Sequence, residues 1–154
     1  MLVYLIRHAH ALDGADDAAR PLSKRGREQV RSLARLLRTR DIFQPVAIWH
    51  SPLVRAQQTA ELLVRHAGRE ISLMEMAGLM SGDDPRVMAR RINRLHESVA
   101  LVGHEPHLSA LASLLVAGAA EPAVFVLKKC AVLALERDDG RWMVRWQVSP
   151  ELLA

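Results

Sequence analysis

A three-layer α/β/α fold, with a mainly parallel sheet and one antiparallel edge, is what this sequence predicts. Two patterns predict it. Short β-branched or apolar runs alternate with segments whose apolar residues recur at helical spacing for most of the chain. The chain then finishes with strand-like runs flanking Asp138-Asp139-Gly140, a hairpin turn signal, which adds an antiparallel edge.

Val3 to Ile6 read as the first strand, followed by a polar connection over 11–22. Ser23 is a helix N-cap by type, and Val30, Leu33, Ala34 and Leu37 give the helix behind it one apolar face to about residue 40. Pro45 to Trp49 are a second apolar run. Ser51-Pro52 is expected to restart a helix, with serine as cap and proline at its first position, carrying Ala56, Ala60, Leu63 and Val64 inward until Gly68. Ile71 to Met74 form a short third strand, and Asp84-Pro85 starts a helix to about Glu97. Ser98 to Val102 make an apolar strand ending in Gly103-His104, and Glu105-Pro106 opens a fourth helix to about Ala117. Three late strands are expected at Ala123–Leu127, Ala131–Leu135 and Trp142–Val148. No repeat, linker or low-complexity tract interrupts the chain, so residues 1–154 are expected to form a single domain.

Half of the 154 residues are hydrophobic and a quarter are charged, the balance of a globular protein. No apolar run approaches the roughly 18 residues that span a bilayer. The N-terminus carries no signal-peptide pattern and Cys130 is the single cysteine, so a cytoplasmic location is expected. The net charge of +4 fits nucleic acid, an acidic surface or a phosphorylated substrate. Three Trp, one Tyr and two Phe are too few and too scattered for a base-stacking platform, so neither nucleic acid nor membrane is expected as a partner.

Ligands of open α/β sheets bind outside the carboxyl ends of the strands. Those exits here carry Arg7 and His8, then Ser51-Pro52 with Arg55 one turn on, then His104 before a helix start. Guanidiniums match phosphate bidentately, and helix N-termini favour anions. A neutral imidazole beside them can attack phosphorus while its charged neighbours hold the equatorial oxygens. The convergence predicts a phosphoryl site.

The blocks "LIRHAHA", "HSPLVRAQQTAELL" and "ALVGHEPHLSALASLL" resemble those of the histidine phosphatase (phosphoglycerate mutase-like) superfamily. The length, "ARPLSKRG" and the ending "WQVSPELL" are similar to its short SixA-type phosphohistidine phosphatases. The resemblance implies a phosphoglycerate mutase-like fold and a metal-free hydrolase of phosphohistidine. It implies His8 as the nucleophile, Arg7 and Arg55 as phosphate clamps, His104 as the second imidazole, and Arg20 as a basic residue near the rim. Its implied partner is a phosphohistidine-bearing protein, either a histidine phosphotransfer domain of a signalling relay or a phosphotransferase-system carrier, with inorganic phosphate as product and no cofactor. Ala9 departs from the family's glycine, so the turn after His8 is expected to differ slightly.

Mutase-like members place a carboxylate after the third strand to protonate the leaving group, and Glu75 lies near that place in a poor pattern. Imidazole leaves more easily than an alkoxide, so a weak or absent acid biases the chain towards P–N bonds or good leaving groups. Two rival readings are a hydrolase of small phosphate esters and a catalytically idle phosphoprotein- or polyanion-binding module using the stripe of Arg27, Arg31, Arg35 and Arg38. That stripe is first a solvated face.

No metal is expected. His8 and His10 have ligand spacing, but Arg7 repels a cation, and in "HEPH" His104 and His107 stand three apart rather than four. His10 has no assigned role, while His50, His66, His96 and His107 are expected at the surface or boundary. Cys130 is expected to pack as a small apolar residue, and Met74, Met76 and Met80 as filler.

Overall fold

The computed structural model describes residues 1–153; Ala154, the last residue of the expected domain, lies outside them. Its elements run β1 Leu2–Arg7, α1 Lys24–Thr39, β2 Ala47–His50, α2 Val54–His66, β3 Ser72–Glu75, α3 Pro85–Asn93, β4 Val99–Gly103, α4 His107–Ala117, β5 Val132–Asp138 and β6 Arg141–Val148, with short 3-10 turns at Asp17–Ala19 and Pro150–Leu152.

The sheet order is β3-β2-β4-β1-β5-β6. The first four are mutually parallel, and β5 and β6 add the antiparallel edge. Asp139 and Gly140 turn the closing hairpin at φ 49° and 75°, the left-handed pair a tight two-residue loop demands. Alternation along the strands sorts side chains into two layers. Tyr4, Ile6, Ile48, Ala100 and Val132 meet Val30, Leu33 and Leu37 of α1 and Ala56, Ala60 and Leu63 of α2. Val3, Leu5, Trp49, Leu101 and Leu133 meet Met88 and Ile92 of α3 and Leu108 and Leu111 of α4. Burying either layer's side chains stabilises the fold by about 1.5–3 kcal/mol per large aliphatic.

Three expectations about elements need correction. Ala123–Leu127 is no strand: β5 takes the open side of β1, and this segment pairs with neither edge of the sheet. Val124 and Val126 stay exposed, and the Val124 N–H donates to Ser113 Oγ instead of a ladder. Ser51 does not cap α2; the cap is Leu53, and the serine hydroxyl is engaged elsewhere. The third helix stops at Asn93, where the Arg137 guanidinium takes the Asn93 carbonyl and the Trp142 indole N–H donates to its side chain. Ser23, by contrast, caps α1 through its Oγ, accepting from Gly26 N–H at 3.0 Å.

Candidate active site

Register alone brings the site together. Arg7 is paired with Gly103 and His50 with Val102, so β1, β2 and β4 end level with one another. Because β4 lies between β2 and β1, the residue that follows it, His104, falls between His8 and Ser51. The His8 N–H donates to Gly103 O and the Ser51 N–H to Val102 O, carrying the ladder one step past the strands. The His8 and His104 rings lie 5.0 Å apart, and Ser51 Oγ is 2.6 Å from His104 Nε2.

The turn after β1 is fixed on three sides. Cys130 N–H donates to the carbonyls of Arg7 and His8. Ala9 N–H donates to Thr59 Oγ1 at 3.0 Å, while the Thr59 hydroxyl donates to Arg55 O at 2.7 Å, so one buried threonine ties the histidine turn to the arginine helix. Ser23 N–H donates to His10 O, and Gly26 faces that same carbonyl so closely that a Cβ would lie 2.0 Å from it. The glycine is required by this approach rather than by its φ. Ala9 itself is buried in the core without a positive φ, so its methyl is accommodated by packing.

His8 Nδ1–H donates to the Ala9 carbonyl at 2.8 Å. A carbonyl can only accept, so the proton belongs on Nδ1 and the lone pair on Nε2. Burial, with the charges of His104, Arg55 and Arg7 behind it, holds His8 down at about 3, against the hydrogen bond to Ala9 that favours its charged form. Burial first, then Arg55, lowers His104 to about 4. Both rings are neutral at pH 7, the state a nucleophile at Nε2 needs.

Arg7, His8, Arg20, Arg55, Ser81, His104, Glu105 and Lys129 line one open cavity of about 270 Å3. Arg7 shares the strand face of Val3 and Leu5, and its Nη1 donates to Leu127 O while its buried Nε has no protein acceptor. Arg55, 8% exposed, donates to the backbone and carboxylate of Asp17, which is also paired with Arg20 at 3.0 Å. The hydrogen bonds from Arg20 and Arg55 hold the Asp17 carboxyl below its usual range. The cavity thus gathers three guanidiniums, one ammonium and two neutral imidazoles, which suits a tetrahedral oxyanion.

The structure places the proposed acid elsewhere. Glu75 ends the edge strand β3, exposed and outside the cavity wall. The carboxylate in the wall is Glu105, unassigned by the sequence reading, and both its oxygens accept from Ser109, from the N–H at 2.8 Å and from the hydroxyl. His107 and His50, expected near the surface, are buried, His50 through an Nδ1–H bond to Ser51 O. Among the described residues no three His, Cys, Asp or Glu side chains are grouped to hold a metal. Burial pushes the Cys130 thiol up to about 12.

A family model of the histidine phosphatase superfamily (branch 1) matches residues 3–80, taking in Arg7, His8 and Arg55. The chain is 30% identical over 160 residues to phosphohistidine phosphatase SixA of Escherichia coli (strain K12), across 97% of this chain and 94% of that one. The chain belongs to the histidine phosphatase superfamily. Within the superfamily it superposes on the protein histidine phosphatase SixA complexed with tungstate with a TM-score of 0.90, at 26% identity and over 100% of both chains. It shares its fold with the alpha-ribazole phosphatase from Shigella flexneri, with a TM-score of 0.75 over 97% of each chain at 20% identity. Membership makes this chain a phosphatase-type hydrolase with a phosphoglycerate mutase-like fold.

Proposed function

We propose that this chain hydrolyses phosphohistidine on a protein through a phospho-His8 intermediate. His8 Nε2 attacks phosphorus in line, a P–N bond to His8 forms, and the P–N bond to the substrate imidazole breaks. The departing imidazole already carries a proton on its other nitrogen and leaves neutral. Water then attacks phosphorus, a P–O bond forms as the P–N bond to His8 breaks, a proton passes to solvent, and inorganic phosphate leaves with His8 restored as neutral imidazole. Arg7 and Arg55 hold the equatorial oxygens in both steps, with the Asp17 carboxylate giving up its place on Arg55 to the phosphoryl group. His104, held by Ser51 at Nε2, keeps Nδ1–H to donate to a phosphoryl oxygen. Arg20 and Lys129 supply charge at the rim.

The observation that carries the substrate class is Glu105. Glu105 in the wall is held by Ser109 through both oxygens, Asp17 stays ion-paired with Arg20 and below its usual range, and Glu75 is outside, so none of the three is poised as an acid for an alkoxide. A phosphoimidazole needs none. The 30% identical relative, a phosphohistidine phosphatase, supports the same reading. As partner we propose a histidine-containing phosphotransfer domain or phosphocarrier, met in the cytoplasm. The lone, buried Cys130 fits a reducing compartment, and no described helix is long and apolar enough to cross a membrane.

The test is a panel of phosphohistidine proteins and small phosphate esters, with wild type and His8→Ala. The reading expects phosphohistidine to be preferred and all turnover to vanish in the variant. Ester hydrolysis with phosphohistidine untouched would replace it with a metabolite phosphatase.

A further inference from the structure

Beside the phosphoryl cavity runs a second, larger trough of about 620 Å3, walled by Arg7, His10, Arg25, Gln29, Lys128, Lys129 and the turn Ser149–Glu151. Arg7 and Lys129 line both spaces, so the trough opens directly off the reacting centre. Its walls carry four cations and one anion. That anion, Glu151, sits 2.9 Å from Lys128 Nζ, so a carboxylate of the chain itself already occupies one position in the trough. Among the described residues Arg25 and Lys129 have no acidic partner within 4.0 Å. His10, between the walls, is held below its ordinary value by burial and then by the cations of Lys129 and Arg25.

Resting on the phosphohistidine reading, we propose that this trough seats acidic side chains next to the phosphohistidine, so that the substrate protein is one whose phosphorylated histidine is flanked by Asp or Glu. Glu151 shows the seating geometry for a carboxylate on Lys128, and Arg25 and Lys129 stand ready for two more. The fold reaches this arrangement by placing the start of α1, the 128–129 turn and the C-terminal turn around the exit of β1. Attraction between such a basic trough and an acidic flank speeds encounter and fixes orientation, and it is screened by salt.

The experiment compares two peptides centred on one phosphohistidine, one flanked by Glu and one by Gln, as substrates for wild type, Arg25→Glu and Arg35→Glu. Arg35 lies on the same helix outside the trough, and controls for overall charge. Wild type and Arg35→Glu are expected to prefer the Glu peptide by about tenfold in kcat/KM at low salt, falling towards unity near 1 M salt. Arg25→Glu is expected to lose the preference. Equal turnover of both peptides by wild type, or an undiminished preference in Arg25→Glu, overturns the trough and leaves phosphohistidine hydrolysis standing. Turnover of neither peptide, with p-nitrophenyl phosphate still hydrolysed, overturns the phosphohistidine reading and the trough with it.

Discussion

Ser51 Oγ lies 2.6 Å from His104 Nε2, a bond joining the exits of two neighbouring strands. The same oxygen also accepts from Leu53 N–H at 3.4 Å, which holds the serine at the exit of β2. Ser51 therefore orients His104 through Nε2, and in the proposed cycle its hydroxyl gives its proton to that nitrogen so that Nδ1–H faces the phosphoryl group. Ser51→Ala is expected to lower kcat about tenfold or more while the protein stays folded. Ser51→Thr, which keeps the hydroxyl, is expected to recover more than half of the loss. Steady-state kinetics beside circular dichroism checks this.

Thr59 links the two halves of the site with one hydroxyl. Thr59→Val preserves the shape and leaves the buried Ala9 N–H without an acceptor. The expected loss is about 1–3 kcal/mol of stability. A drop in kcat should accompany it, because the Ala9 carbonyl orients His8. Urea denaturation and turnover measure the two effects separately.

Gly26 faces a backbone carbonyl that cannot move without dragging His10 and the turn after His8. Gly26→Ala raises helix propensity, yet it is expected to destabilise the fold by about 1–3 kcal/mol through overpacking. A thermal scan showing a higher melting temperature would contradict the close approach.

The two depressed histidines leave the rate insensitive to mild acid and make stability sensitive to it. His8 at about 3 and His104 at about 4 stay neutral far below 6.5, so p-nitrophenyl phosphate turnover is expected to hold between pH 7 and pH 5. An ordinary imidazole would lose about thirtyfold of its neutral form at pH 5. Stability, by contrast, does change. From about 6.5 downwards the unfolded chain binds protons at these histidines that the folded chain refuses, so stability falls with pH until the folded values near 3 and 4 are reached. His8→Gln removes one such group, and should recover about 2 kcal/mol at pH 5 relative to its effect at pH 7. Urea titrations at the two pH values measure it.

Arg7, His8, Arg55 and His104 were legible because each stands at or just beyond a strand exit, where local pattern and general fold geometry agree. The parallel sheet and its hairpin edge followed from the same periodicities. What local pattern missed depends on distant partners. Ser51 reads as a helix cap until His104, 53 positions on, claims its hydroxyl. Glu75 stood at the expected place along the chain but on the exposed edge strand, while Glu105 reached the cavity from the start of α4. Ala123–Leu127 has a strand's composition but joins neither edge of the sheet, and its Val124 N–H goes to Ser113 Oγ. His107 looks like a surface residue, yet in the first turn of α4 it is buried.

The central measurement is rapid quenching of the wild type with a labelled phosphohistidine substrate, followed by peptide mapping under alkaline conditions. The expected result is an acid-labile phosphoryl group on His8, formed faster than phosphate is released and absent from His8→Ala. A label on any other residue, or full turnover by His8→Ala, would contradict it.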